Sequence, residues 1–596
     1  MPGPNALRGE AEKSKDFSKA ISRLIKELKP FYLLIVVGVS FAIAGSIIAL
    51  VVPNQISDLT NIIADGLATG INFDKVLSIS LTVGGLEIAS LISEIIEGFT
   101  MTDVANKFAC KLRNRISAKI NRLPLRFFDK HQTGDTLSRV TNDVDLIAQT
   151  LTQSLSTLIA AIALFFGVVI MMFVTNGIMA ITAILSGFIG FVFTFIILRK
   201  SQKYFTARQK QLGFLNAHIE EIYSGLNVVR AYNGAGEARR KFNDLNQKVY
   251  NANRKSQFLS GLMPPTMAFV GNLGYVAVCV VGAILVSNDV ISFGSIVAFI
   301  IYVRMFSSPL SQIAQALTSL QSSAAASERV FEFLDEKEMS DQKEITAYLD
   351  KDKVKGRIEF VNVRFGYDAD KIIIKDFSAQ VMPGQKIAIV GPTGAGKTTM
   401  VNLLMKFYDI NSGSILIDGV PISRLTRENI HELFTMVLQD TWLFDGTIKE
   451  NIIYNRHHIS DRMVNEVCDQ VGLTHFIKTL PKGINTVIKD NDSISSGQRQ
   501  LLTIARGMVE ETPFLILDEA TSNVDTRTEE LVQKAMDRLA KGRTSFIIAH
   551  RLSTIKNADL ILVMKDGNIV ESGRHEELLK SGGFYSELYN SQFQIT

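Results

Sequence analysis

Apolar residues are not spread evenly along this chain. Nearly all of the long apolar runs fall before residue 310. A bilayer core about 30 Å thick needs roughly 20 mostly apolar residues in helical form. Six stretches meet that length. The first, residues 31–52, carries no charge. The second, 76–96, contains Glu87 and Glu94. Residues 155–174, 177–198 and 258–286 follow, and a sixth run starts near 291 and continues past Arg304. Charged material is segregated between the runs, so the pattern predicts six membrane-spanning helices rather than buried helices of a soluble protein. Ahead of them, Phe17, Ile21, Leu24, Ile25 and Leu28 recur on one helical face, with Lys and Arg mainly on the other. That predicts a helix lying in the membrane interface. The polar first 29 residues and the overlong first run predict no cleavable signal peptide.

Loop charge sets the orientation. Residues 53–75 hold one Lys and no Arg, and the loop between the fifth and sixth runs holds neither. Residues 100–146 are rich in both, from Lys107 to Arg139, and 199–257 are richer still. Positive charge marks the cytoplasmic side, so both termini and both basic stretches are expected there.

Whole-chain composition adds less. Of 596 residues, 47% are hydrophobic and 20% charged, which excludes a disordered chain. A net charge of +4 over that length gives no case for a nucleic-acid partner. Cys110, Cys279 and Cys468 lack metal-like spacing and read as free thiols.

After about residue 325 the texture changes. An Asp-, Glu- and Lys-rich stretch gives way to short β-branched runs alternating with helical ones. Candidate strands are 357–363, 386–390, 414–417, 514–517, 545–549 and 560–564. The alternation predicts an α/β domain around a largely parallel sheet.

The chemistry lies in this second half. Gly391-Pro-Thr-Gly394-Ala-Gly396-Lys397-Thr398-Thr399 follows an apolar strand and opens a helical run. That context suits a phosphate-binding loop, in which backbone N–H groups and a helix N-terminus surround phosphate oxygens. Lys397 would reach the β- and γ-phosphates, and Thr398 would ligate Mg²⁺. Downstream, Phe514-Leu-Ile-Leu-Asp518-Glu519 is an apolar strand ending in two acids. Asp518 would hold Mg²⁺ and Glu519 would orient the attacking water.

Between these elements lies Ile494-Ser495-Ser496-Gly497-Gln498-Arg499-Gln500, which resembles the LSGGQ signature of ATP-binding cassette (ABC) proteins. Other elements fall in that family's order. Tyr367 resembles the aromatic residue that stacks on adenine. Gln439 resembles the Q-loop glutamine, which contacts Mg²⁺. Asp525, in Ser522-Asn-Val-Asp525, resembles the D-loop, and His550 resembles the switch histidine at the γ-phosphate. The stretches around 123–139 and 220–230 resemble the two coupling regions that carry cassette motion to the membrane helices.

The whole chain resembles an ABC exporter half-transporter. The fold this implies is an all-α six-helix transmembrane domain followed by an α/β P-loop ABC ATPase domain. The organisation is an interfacial region over 1–29, a transmembrane domain over 30–325, a linker over 326–355 and a nucleotide-binding domain over 356–596. The resemblance implies ATP and Mg²⁺ as cofactors, with Glu519 and His550 catalytic. Tyr367, Gly391, Gly394, Gly396, Lys397, Thr398, Thr399, Gln439, Ser495, Gly497, Gln498 and Asp525 would bind nucleotide. Thr398, Gln439 and Asp518 would bind the metal. It also implies a second half-transporter as partner, since in this family the signature of one chain completes the site of the other.

One departure bears on that partner. Ser496 stands where the family signature has its first Gly, and Asp490–Ser493 lack the usual Gly-Glu-Arg-Gly pattern. An intact catalytic Glu beside an altered signature resembles one subunit of a heterodimeric exporter, so a heterodimer is favoured over a homodimer. The expected cargo is a small hydrophobic or amphipathic substrate, drug-like compounds first, with lipid flipping or peptide export as alternatives. An ATP-gated channel or a regulatory ABC subunit is the reading from another class. Glu87 and Glu94 would either favour amphipathic cations or pair with Arg304. The expected location is a cell membrane, multi-pass, with a bacterial inner membrane the simplest fit.

Overall fold

The structure, a computed structural model, describes residues 16–131, 133–340, 342, 345–368, 371–439, 441–456, 458–489, 494–518, 526–549 and 552–593. Two compact units emerge. The first runs to Arg122 and resumes from His131 to Glu336. The second takes Leu123–Lys130 and the chain from Lys337 onward.

The first unit is helical. After α1 (Phe17–Glu27) come α2 (Tyr32–Thr69) and α3 (Phe73–Ile120). The short α4 (Leu125–Lys130) belongs to the second unit. The third span is assembled from α5 (Thr133–Ser138), a π-helical piece Arg139–Asp143, α6 (Val144–Gln149), a second π-helical piece Thr150–Ser154 and α7 (Leu155–Thr175). Then follow α8 (Gly177–Ser224), α9 (Leu226–Ala231), α10 (Ala235–Gly261), α11 (Met263–Ser287) and α12 (Phe293–Asp335). Six of the described helical stretches are long and apolar enough to cross a bilayer, matching the six predicted runs.

Sequence explains where these helices start and stop. Asn72 and Asn176 cap α3 and α8; the Asn176 side chain accepts from Ile178 N at 3.0 Å and Met179 N at 3.1 Å. Such a cap satisfies donors that the first turn leaves unpaired. Pro53 lies inside α2, where it cannot donate to the helical ladder. Near it, fully buried Tyr302 of α12 donates to Leu50 O at 3.2 Å and contacts Asn54 Oδ1 at 3.0 Å. Around Tyr302 sit Phe299, Val278, Ala180 and Ala183, all at most 2% exposed. Phe166, Ile170, Leu185 and Phe188 point outward and are exposed. Apolar side chains on the outside suit lipid, which offers no water to avoid.

The α3 and α8 helices are 48 residues each, or about 72 Å long. They exceed the bilayer core more than twofold. Helix α1 buries Ala20, Leu24 and Leu28, while Phe17 and Ile25 of its predicted face stay exposed. Arg23 holds it to α12 through an ion pair with Asp335 and lies 4.6 Å from the Phe331 ring centroid. The buried stripe is therefore rotated toward Ala20, whose small size admits close packing.

The second unit is built on one ten-stranded sheet. Its strands are β1 (Ile358–Phe365), β2 (Ile374–Val381), β3 (Lys386–Val390), β4 (Ser412–Ile417), β5 (Val420–Pro421) and β6 (Phe434–Val437). A separate pair, β7 (Gly446–Thr447) and β8 (Val487–Ile488), precedes β9 (Phe514–Asp518), β10 (Thr544–Ile548), β11 (Leu560–Lys565) and β12 (Asn568–Gly573). The order is β5-β4-β1-β2-β12-β11-β3-β10-β9-β6. From β11 to β6 all pairs are parallel, and β3, β9 and β10 are buried nearly throughout, as apolar strands covered on both faces should be. The other flank is mostly antiparallel, which corrects the expectation of a largely parallel sheet. There β1 buries Ile358, Phe360, Val363 and Phe365, and β2 buries Ile374, Phe377 and Val381, with mainly polar positions exposed between them, as half-buried antiparallel strands do. Phe434 stacks on Phe514 at 4.7 Å, and Phe360 meets Phe377 edge-on at 5.1 Å in the core.

Candidate functional site

Strand register gathers the phosphate chemistry. In the parallel part, Ile548 lies opposite both Ile389 and Asp518, and Val437 lies opposite Leu517. The carboxyl ends of β3, β9 and β6 therefore open on one edge of the sheet. Gly391 follows β3, Asp518 ends β9 and Gln439 follows β6, so all three emerge on that edge. Ligands of open α/β sheets bind outside such carboxyl ends.

The loop after β3 leads into the helix Lys397–Leu404. Gly391, Gly394 and Gly396 all have positive φ. At Gly391 a Cβ would stand 2.3 Å from Met564 O, so no larger residue fits. At Gly394 a Cβ would meet nothing within 4 Å, which leaves the loop open on that side. Lys397 donates to Gly391 O at 2.7 Å and Pro392 O at 3.1 Å. Burial holds its pKa below the ordinary lysine value, and the nearby Asp518 charge partly offsets that. A desolvated ammonium above an open glycine loop suits a polyphosphate. Thr398 is exposed at the helix start, and Thr399 is buried.

Tyr367 stands beside this loop. Its hydroxyl donates to Thr399 Oγ1 at 3.4 Å and accepts from Asn402 Nδ2 at 3.4 Å. Phe365 and Tyr408 pack edge-on against its ring at 5.0 and 4.9 Å. One aromatic face flanked in this way can stack on a base. Sequence reasoning missed what holds this corner. Tyr408 donates to Asp129 of α4, and burial together with that carboxylate pushes its phenol pKa up. Asp368, next to Tyr367, accepts from Arg126 at 2.8 Å and Lys130 at 3.0 Å. Hydrogen bonds from those two cations hold its carboxyl below the usual range. Charge alternation in Arg126–Lys130 was visible, but nothing in the sequence pairs it with Asp368.

The signature residues form a different element. Ser495 caps the helix Ser496–Met508: its Oγ accepts from Gln498 N at 3.2 Å, and its N donates to Gln498 Oε1 at 3.0 Å. This reciprocal capping box leaves buried Gly497 in the first turn. These hydrogen bonds stay within the helix start and do not reach the Gly391–Lys397 loop. The predicted residues Glu519, Asp525 and His550 lie outside the described residues.

Mg²⁺ and nucleotide fit the groups present. Thr398, Gln439 and Asp518 offer a hydroxyl, an amide and a carboxylate. Among the described residues no three His, Cys, Asp or Glu side chains converge as a metal cage. That suits Mg²⁺, which takes one or two carboxylates and completes its shell with phosphates and water.

In the first unit, Glu87, Glu94 and Arg304 are exposed. No ion pair joins either acid to Arg304 among the described residues. On either side of the Gly225 break, Tyr223, Val228 and Tyr232 of the second basic stretch are 62–84% exposed.

Comparison with known proteins agrees with this layout. Residues 35–310 match the family described as the ABC transporter transmembrane region, and residues 374–522 match the family described as ABC transporter. A fatty acid ABC transporter ATP-binding/permease protein of Mycobacterium bovis is 42% identical over 97% of each chain. An uncharacterized ABC transporter ATP-binding protein of Bacillus subtilis is 37% identical, covering 98% of this chain and 96% of its own. A probable multidrug resistance ABC transporter ATP-binding/permease protein of the same organism is 34% identical, covering 85% of this chain and 76% of its own.

Proposed function

The chain belongs to the ABC transporter family, and from that premise we propose that it is one half of a dimeric exporter of hydrophobic or amphipathic compounds, drug-like ones first. It is a multi-pass membrane protein whose ATPase drives transport. The observation that carries the proposal is the strand register. It brings the glycine loop, Asp518 and Gln439 to one edge of a sheet in the same chain as six spans.

The roles follow from the chemistry of each group. Backbone N–H groups of Gly391–Thr399 and the Lys397 ammonium hold the phosphates, and Tyr367 stacks on adenine. Thr398, Gln439 and Asp518 would hold Mg²⁺, which would supply positive charge against the phosphates. Glu519 orients and polarises the attacking water, and His550 contacts the γ-phosphate. Asp525, Ser495, Gly497 and Gln498 complete the nucleotide site of a partner cassette. The capped helix start at Ser495 presents N–H groups to an anion, as completing a partner's nucleotide site requires. ATP binding would then draw two cassettes together, hydrolysis would release them, and the spans would open alternately to either side. The exposed Tyr223, Val228 and Tyr232 are suited to contact that partner.

Ser496 in the signature supports a heterodimer. The loop charges support cytoplasmic termini, and the bacterial relatives support a bacterial inner membrane. The relative named for fatty acids keeps a lipid-like cargo as the second reading.

The test is Glu519→Gln in the full chain. It should keep ATP binding and lose nearly all hydrolysis and ATP-dependent uptake into inverted vesicles; wild-type hydrolysis would remove Glu519 from its role. Purifying the tagged chain from its native membrane should bring down a different half-transporter. A strongly active homodimer would overturn that part.

A further inference from the structure

A cavity of about 380 Å³ opens between α2, α3, the π-helical Thr150–Ser154 with α7, and α12. Its size falls in the range of small-molecule sites, roughly 300–1,000 Å³. Two carboxylates line it, Glu94 and Glu97. The amides of Gln153 and Gln312 and the hydroxyls of Thr152 and Thr157 add to its polar lining. Small residues, Ala42, Gly45, Ala49 and Ala160, keep the space open. No Lys, Arg or His is among the described lining residues. Neither carboxylate is in an ion pair among the described residues.

Two further observations point to a ligand. Ser156 also lines the cavity and is only 7% exposed, yet its hydroxyl has no hydrogen-bond partner among the described residues. A buried hydroxyl left unpaired costs free energy until something meets it. In addition, Thr152 and Gln153 come from a π-helical turn, a local departure that recurs at functional sites. Glu94 lies within the second apolar run, where an acid is costly and faces a cavity or a partner. Two carboxylates beside apolar Leu164, Ala42, Ala49 and Ala160 suit a cation that carries an apolar body.

We infer that this cavity is a binding site for a lipophilic organic cation, held by Glu94 and Glu97 and hydrogen-bonded by Ser156. Apolar walls from Leu164 and the alanines take the hydrophobic part. The carboxylates take the positive centre. An anionic cargo such as a fatty acid carboxylate would meet like charge here and be disfavoured. The inference rests on the exporter reading and narrows its cargo to cations.

The test uses two ions of the same shape and opposite charge, tetraphenylphosphonium and tetraphenylborate. Equilibrium binding of each is measured on the detergent-purified full chain with whatever partner co-purifies, without ATP. Tetraphenylphosphonium should bind at least tenfold more tightly than tetraphenylborate. The double variant Glu94→Gln, Glu97→Gln should lose at least tenfold in tetraphenylphosphonium affinity and keep ATP affinity. Glu94→Asp with Glu97→Asp should restore most of the affinity, and Ser156→Ala should lower it severalfold. Equal binding of the two ions by the wild type, or unchanged tetraphenylphosphonium affinity in the Gln pair, overturns the inference. The wild-type comparison decides even where a variant fails to fold. Failure of ATP-dependent uptake with cation binding intact would count against the exporter reading alone.

Discussion

Removing Arg329 should destabilise the membrane unit strongly. Its guanidinium grips Asp143 with two hydrogen bonds, Nε to Oδ2 at 2.9 Å and Nη2 to Oδ1 at 2.5 Å. The Asp143 side chain is 4% exposed and that of Arg329 is 20%. The pair joins the π-helical Arg139–Asp143 piece to the far end of α12. Arg329→Met would leave a carboxylate buried without its counter-ion, a loss of about 3–5 kcal/mol. For a unit of this size each kcal/mol moves the melting temperature by about 2–4 °C, so a drop of roughly 6–20 °C is expected. Asp143→Asn should cost less, because the guanidinium is already partly exposed and can reach water. The double variant Asp143→Asn, Arg329→Met should recover most of the loss, since a buried pair replaced together is often close to neutral. Thermal stability followed by size-exclusion chromatography of the detergent-purified protein reads all four states of this cycle. An Arg329→Met protein within about 2 °C of wild type, or single effects that simply add in the double variant, would refute the argument.

Three other outcomes follow. Gly391→Ala should lower ATP affinity at least tenfold, because its Cβ would press within 2.3 Å of Met564 O; titration with a fluorescent ATP analogue checks this. Burial pushes the Cys468 thiol up to about 11, so at pH 8 only about one molecule in a thousand carries its thiolate. Mass spectrometry after brief iodoacetamide treatment should find exposed Cys110 alkylated and Cys468 intact until the protein is unfolded. Asp368→Asn should speed hydrogen exchange across Leu125–Lys130 at pH 7 by releasing Arg126 and Lys130. Because the folded Asp368 carboxyl lies below its ordinary 3.8, the contribution of this cluster is fully present above that pH. It is lost only as pH falls through the lowered value, so protection in the wild type should hold from neutral pH down to about 4.

The spans and the phosphate loop were legible because each depends on local pattern. Twenty apolar residues must cross or be buried, and GxxxxGK[ST] after an apolar strand has few other uses. The strand at Lys386–Val390 was placed to the residue for the same reason. What stayed hidden depends on non-local pairing. Strand β2 (IKDFSAQV) mixes charge with apolar residues and becomes a strand only through its neighbours β1 and β12. Glu97 lay one residue past the predicted end of the second span, so Glu87 and Glu94 were singled out and Glu97 was not. Helix α3 runs on unbroken through Glu94 and Glu97, and one turn of helix brings them to the same face. The π-helical pieces obey no sequence period, since one extra residue per turn is set by packing rather than by composition. Helix α4 lies in a stretch whose resemblance to a coupling region implied contact with the cassette, but its particular partners, Asp368 and Tyr408, appear only in three dimensions.

The length of α8 has a mechanical consequence. Its 48 residues make a rod of about 72 Å, with the bilayer taking up less than half of it. Tilting such a rod by about 6° about its packed end at Ala180–Ala183, roughly 60 Å from Ser224, swings that far tip through about 6 Å, the width of one or two side chains. A repacking too slight to disturb the buried contacts around Ala180 and Ala183 is thus amplified at Ser224. The Gly225 break then decouples the rod from the turn it carries, so that turn can hold a fixed grip while the lever beneath it pivots.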